Sequence, residues 1–238
     1  MPDKRTHRGP HPEDRELFAV EHVATLRAAL ADYCLLLTKG YATKSSLKLV
    51  GDRFALTERQ RLALMRSACS ERQLSGRRQR CVDAGDLAGR SVALDGYNVL
   101  ITIEAALGGG VLFEGRDGCY RDLASMHGTY RKVSETIPAA RLVGGFLAEA
   151  GVAGVHWFLD RPVSNSGRLK ALLHEIAQEN GWDWQVELVM SPDPVLIESD
   201  MIVASSDSVV LDGCHQWTNL ARSIIQETVT DAWVIVLA

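Results

Sequence analysis

Four aspartates carry the clearest chemical potential in this chain, because each follows an apolar run that reads as a buried strand. Asp95 closes Ser91-Val92-Ala93-Leu94-Asp95 and leads into Gly96-Tyr97-Asn98. Asp160 closes Phe158-Leu159-Asp160, Asp207 closes Ala204-Ser205-Ser206-Asp207, and Asp193 sits in Ser191-Pro192-Asp193-Pro194. Asp200 and Asp212 lie near them in sequence. Taken alone, Asp95 reads equally well as the cap of the helix that follows it. Several carboxylates brought together repel one another unless a cation neutralises them. Hard oxygen donors with little histidine favour Mg²⁺ or Mn²⁺ over zinc.

Bringing these residues together requires a particular scaffold. Strand candidates are 91–94, 154–159, 185–190, 201–205 and 232–237, most of them apolar nearly throughout, as in strands covered on both faces. Helix candidates fall between them at 97–107, 135–150, 166–180 and 217–228. The alternation predicts an α/β fold with a mostly parallel, doubly wound sheet. Ligands in such sheets bind outside the carboxyl ends of the strands, where Asp95, Asp160, Asp193 and Asp207 are expected. The dinucleotide fingerprint is absent after the first strand, and Gly108-Gly109-Gly110 lacks the lysine of a P-loop.

Ahead of this unit the chain reads differently. Residues 1–14 are polar and are expected to form a disordered tail. Residues 15–86 read as a basic helical domain, with 87–238 as the α/β domain. Residues 15–38 show one apolar face at helical spacing. Thr57 and Gln60 form a capping box that starts another helix, whose Arg59, Arg61 and Arg66 make a basic face. Two helices around a glycine turn give the outline of a helix-turn-helix, an outline that any small helical domain shares.

Charge divides along the same line. Residues 1–90 hold 17 Lys and Arg against 11 Asp and Glu, whereas residues 91–238 hold 9 against 19. The sequence reading is a basic part that holds a polyanion and an acidic part that holds cations. Candidate substrate contacts are Arg77, Arg78 and Arg80 in the basic run, and Arg121 in the glycine-rich insert 113–122. Ser164, Ser166 and Arg168 add a set at a helix start, where backbone amides favour anions. Ser166 there also reads as an ordinary helix cap. Five cysteines without a Cys-x-x-Cys pair indicate neither a disulfide framework nor a zinc ribbon. A cytoplasmic protein without membrane partners is the expectation, and a homo-oligomer is compatible with it.

On these residues the segment 91–238 resembles a PIN/NYN-type nuclease domain. Asp95-Gly96-Tyr97-Asn98 is similar to the Asp-Gly-x-Asn that opens those domains, and Ala204-Ser205-Ser206-Asp207-Ser208 to the Ser/Thr-rich strand that closes their site. The resemblance implies Asp193 or Asp200 as a further acid, Asp160 as the acid after the second strand, and Glu104, Asp117 or Asp122 for an acid on a central helix. It implies a ribonuclease that hydrolyses single-stranded RNA through Mg²⁺ or Mn²⁺ on Asp95 and Asp207. Asp160 and Asp193 would complete the shell, and Asn98 would bind phosphate or orient Asp95. The whole chain also resembles a prokaryotic family of unknown function with a helical N-terminal domain. Two other functions fit the same acids: a catalytically degenerate nuclease fold that binds RNA or a partner protein, and a different metal-dependent phosphatase or phosphotransferase.

Overall fold

A computed structural model describes residues 6–124 and 128–238. The first part is helical: α1 (Asp14–Leu17), α2 (Val20–Thr38), α3 (Thr43–Arg53), α4 (Glu58–Ser67) and α5 (Glu71–Arg80). The expected helix over 15–38 is broken at Phe18 and Ala19, where Phe18 turns into the core. Thr57 and Gln60 form the capping box at the head of α4, and Ser70 with Gln73 repeats it at α5. α3, residues 54–57 and α4 have the outline of a short helix, a turn and a second helix.

The rest alternates: β1 (Ser91–Asp95), α6 (Gly96–Leu107), β2 (Leu112–Glu114), β3 (Tyr120–Asp122), α7 (Thr136–Glu149), β4 (Gly154–Asp160), α8 (Ser166–Asn180), β5 (Trp184–Val189), α9 (Pro192–Ile197), β6 (Ile202–Ala204), α10 (Ser208–Gly213), β7 (Trp217–Thr218), α11 (Leu220–Thr228) and β8 (Val234–Val236). Five strands form a parallel sheet in the order β5-β4-β1-β6-β7. This is the expected α/β, doubly wound, Rossmann-type arrangement. The chain leaves β1 toward β4 and β5, then returns to β6 on the other side of β1. The carboxyl end of β1 is therefore a topological switch point, where such sheets open a crevice.

Two elements differ from expectation. The run 232–237 is not in the parallel sheet: β8 pairs with β2, which also pairs antiparallel with β3, in a separate three-stranded sheet. The fifth parallel strand is instead the two-residue β7, cut from the start of the helix expected over 217–228. Two residues are too few to set up an alternation that sequence could register.

The helical part and the small sheet share one apolar core. Phe18, Leu26 and Leu30 pack with Phe113, Leu123, Ile235 and Leu237, and the rings of Phe18 and Phe113 meet edge-on at 4.8 Å. The stretch expected as a disordered tail is, over its described residues 6–14, laid against this body. Arg8 Nε donates to Glu104 Oε2 at 3.0 Å, and His7 Nδ1 lies 2.9 Å from Glu135 Oε1. The reason is electrostatic: Glu104 is fully buried and needs a countercharge, which Arg8 supplies. Among the described residues no helix is long and apolar enough to cross a membrane. All five cysteines are free thiols.

Candidate active site

Asp95 ends β1 and is buried at the switch point. Its Oδ2 accepts a hydrogen bond from Ser205 Oγ at 2.7 Å, and the same hydroxyl accepts from the Asp207 backbone N–H at 3.0 Å. Asp207 itself caps α10, its Oδ1 accepting from Val209 N at 2.7 Å. Asp160 ends β4, and Asp193 lies in the first turn of α9, just past β5. All four line one cavity of about 690 Å³. The helical part adds Tyr33, Leu37, Met65 and Arg66 to its lining.

Gly96 brings β1 and β4 together here. Its backbone is not left-handed, so a sharp turn is not what requires glycine. A Cβ at this position would stand 2.9 Å from the Phe158 carbonyl oxygen and 2.5 Å from Leu159 Cδ2. The first turn of α6 lies directly on the end of β4, and only glycine leaves room.

Burial and like charge act together on these acids. Burial pushes the Asp95 carboxyl up to about 7, the Ser205 hydrogen bond opposes it, and the charges of Asp207, Asp193 and Asp160 add to it in that order. Burial and then Asp193 raise Asp160; burial and then Asp207 raise Asp193. None of the four makes an ion pair among the described residues. Among the described residues the wall carries six carboxylates and three guanidinium groups, with no His or Cys. That donor set fits a hard divalent cation held by oxygen. As the side chains stand, no three His, Cys, Asp or Glu of the described residues are gathered closely enough to hold one.

Asp200 does not join this group. It precedes β6, at the amino edge of the parallel sheet, whereas Asp207 follows β6 at the carboxyl edge. Of the two acids left open by sequence, only Asp193 faces the cavity. Asn98 lies there too, but its Oδ1 accepts from Ser206 N at 2.7 Å and Ser206 Oγ at 3.0 Å. It therefore fixes the β6–α10 loop and does not touch Asp95. Among the candidates for the central acid, Glu104 bonds Tyr130, Thr136 and Arg8. Asp117 is buried between Arg77 and Arg121. Asp122 alone of the three lines the cavity, and it is engaged by Thr102, Arg66 and the Ala124 N–H.

The proposed substrate arginines are mostly structural. Arg77 is 1% exposed, with Nη1 2.5 Å from Asp117 and Nε 2.7 Å from Asp212. Arg121 grips Asp117 with both terminal nitrogens, at 2.8 and 2.7 Å, and donates through Nε to the Ser206 carbonyl at 2.7 Å. Against the upward push of burial, Arg121 and Arg77 hold the Asp117 carboxyl well below the usual range. Arg80 donates to the carbonyls of Leu211, Asp212 and Cys214 at the end of α10. Arg78 is exposed. The basic face of α4 is also paired internally: Arg59 with Asp14, Arg61 with Asp52, and Arg66 with Asp122. Two of these partners lie within residues 1–90 and the third, Asp122, in the α/β part, so this face meets carboxylates within the fold.

The set around Ser164 lies off the cavity. Ser164 pairs through its backbone with Gly128 and Tyr130, and Ser166 Oγ donates to the Arg161 carbonyl at 3.3 Å. The cap position of α8 is held by Asn165, in the left-handed region at φ 72°, and not by Ser166. Arg168 is exposed on α8. Tyr97, Ser205 and Arg66 were not singled out from sequence as site residues. The polar pair Ser205-Ser206, directly after an apolar strand, was the available signal for Ser205. Arg66 was marked only as part of the basic face of its helix, not as a cavity residue.

Residues 84–223 match the family described as Domain of unknown function (DUF5616), and residues 25–80 match the one described as Protein of unknown function (DUF434). The chain is 27% identical over 187 residues to Uncharacterized protein MJ0935 of Methanocaldococcus jannaschii, an alignment covering 79% of this chain and 89% of that one. No solved structure matches the chain.

Proposed function

The chain belongs to the family described as Domain of unknown function (DUF5616), and we propose that it is a metal-dependent nuclease acting on single-stranded RNA. One observation carries this reading. Four carboxylates from four separate segments face a single cavity at the switch point of a parallel sheet, with no basic partner of their own among the described residues. Such a site is costly to keep without a ligand that neutralises it.

Asp95, Asp193 and Asp207 are the residues that would hold Mg²⁺ or Mn²⁺, with Asp160 at the edge of the group. When bound, such an ion lowers the pKa of a water and stabilises charge on phosphoryl oxygens. The chain's own residues do the positioning. Ser205 fixes one oxygen of Asp95 and leaves the other without a hydrogen-bond partner among the described residues. Asn98 holds the loop from which Asp207 projects. Arg66 and Arg121, on the cavity wall, oppose part of the negative field that a phosphate would meet. The apolar side chains of Leu37, Met65 and Ile101 offer surface to a base.

The test is cleavage of a labelled single-stranded RNA across a metal series. Cleavage should require Mn²⁺ or Mg²⁺, stop with EDTA, and fall by about 10²-fold or more in Asp95→Asn. Both ions should raise the melting temperature of the wild type, and Asp95→Asn with Asp207→Asn should remove that rise. Metal-independent cleavage, or full activity in Asp95→Asn, would sink the assignment. A second reading, a catalytically silent fold that binds RNA or a protein, is favoured by the spacing of the acids, which are not gathered for a metal as they stand. Tight RNA binding without cleavage in any metal would select it.

A further inference from the structure

We infer that Tyr97 and Asp160 together form a receptor for a hydroxyl group of the ligand, and that on a nucleic-acid strand this group is the ribose 2′-hydroxyl. The inference rests on the nuclease reading above and names what its site selects. Tyr97 is 2% exposed, and its Oη has no hydrogen-bond partner among the described residues. A buried hydroxyl left unbonded costs about 1–3 kcal/mol, a penalty that a ligand could relieve. The ring stands in the first turn of α6, packed on Tyr130 with ring centroids 5.1 Å apart. It forms part of the cavity wall, as does Asp160.

Donor and acceptor roles select the ligand. The phenol can donate, whereas an ionised carboxylate only accepts. A phosphate oxygen also only accepts, so it would suit Tyr97 and be repelled by Asp160. An amine would suit Asp160 and leave the phenol proton unmatched. A hydroxyl gives its proton to Asp160 and takes one from Tyr97, satisfying both. The ribose 2′-hydroxyl has this dual character, and it is the group that separates RNA from DNA.

The experiment measures binding of one labelled single-stranded sequence in ribo, 2′-deoxy and 2′-fluoro forms to full-length Asp95→Asn in Mg²⁺. The ribo form should bind about tenfold more tightly than the other two. Adding Tyr97→Phe should lower ribo binding to the deoxy level and leave deoxy binding unchanged. That variant keeps the ring on Tyr130 and loses only the unmet hydroxyl, so its melting temperature should hold or rise. A fall in melting temperature would mean that the hydroxyl is already bonded, and would overturn the inference. Equal binding of ribo and deoxy forms would overturn it while leaving the nuclease reading in place. A ribo preference that survives Tyr97→Phe would overturn the role of Tyr97. Binding of no oligonucleotide, either by Asp95→Asn or by the wild type in EDTA, would overturn both.

Discussion

Ser205 Oγ donates to Asp95 Oδ2 at 2.7 Å, a single hydrogen bond holding a carboxylate that is otherwise surrounded by burial and like charge. It does not compensate for either, and the Asp95 carboxyl is pushed up to about 7.

Stability should follow from this. Between the ordinary carboxylate range and pH 7 the folded state binds this proton more tightly than the unfolded state does. Stability from Asp95 is therefore fully present below the unfolded pKa and is lost as pH rises toward 7. In metal-free buffer, Asp95→Asn should flatten the fall in melting temperature between pH 5 and pH 8. At pH 8 it should be more stable than the wild type, by on the order of 1–3 kcal/mol. Parallel pH profiles for the two proteins would contradict the assignment.

Gly96→Ala tests the contact between α6 and β4. The added methyl would meet the Phe158 carbonyl at 2.9 Å, a backbone atom that cannot swing aside. The expected cost is about 1–3 kcal/mol. Because the displacement separates Asp95 from Asp160, the Mn²⁺-induced rise in melting temperature should shrink as well. Normal stability with a normal metal response would show that the helix end can yield.

Neighbouring arginines should behave oppositely. Arg77→Met removes the charge between Asp117 and Asp212 and should cost about 3–5 kcal/mol, as breaking a buried ion pair does. Arg78→Ala, on the exposed side of the same helix, should stay within about 0.5 kcal/mol of the wild type. Urea denaturation of both variants decides the point.

The same pair shows where sequence reading stops. Arg77-Arg78-Gln79-Arg80 looks like one basic run, yet the partners of Arg77 lie at 117 and 212, those of Arg80 at 211–214, and no local pattern announces them. What was legible was local. The Thr57–Gln60 capping box is in place, and α8 spans 166–180 as periodicity indicated. The strands ending in Asp95 and Asp160 were readable because the residues just before each aspartate, Val92-Ala93-Leu94 and Trp157-Phe158-Leu159, are apolar. Sheet membership was not readable: an apolar run such as 232–237 is equally at home in either sheet. Asp193 and Asp200 could not be told apart because α9 and β6 are so short that both acids seem to adjoin a strand end. Tyr97 passed unnoticed because an aromatic residue after a glycine reads as core, and only its unmet hydroxyl marks it.

The pairing of β8 with β2 also bears on how the protein is made. Ile235 and Leu237 complete the core on which α2 rests, and Arg27 of α2 donates to the Val236 carbonyl at 3.0 Å. As the chain is synthesised, α2 therefore lacks part of its packing surface until residues 233–237 emerge. While residues 40–232 are being made, Phe18, Leu26 and Leu30 must stay out of other contacts. A nascent chain stalled before residue 233 should bind holdase chaperones through those helices, and one stalled well beyond residue 238 should not.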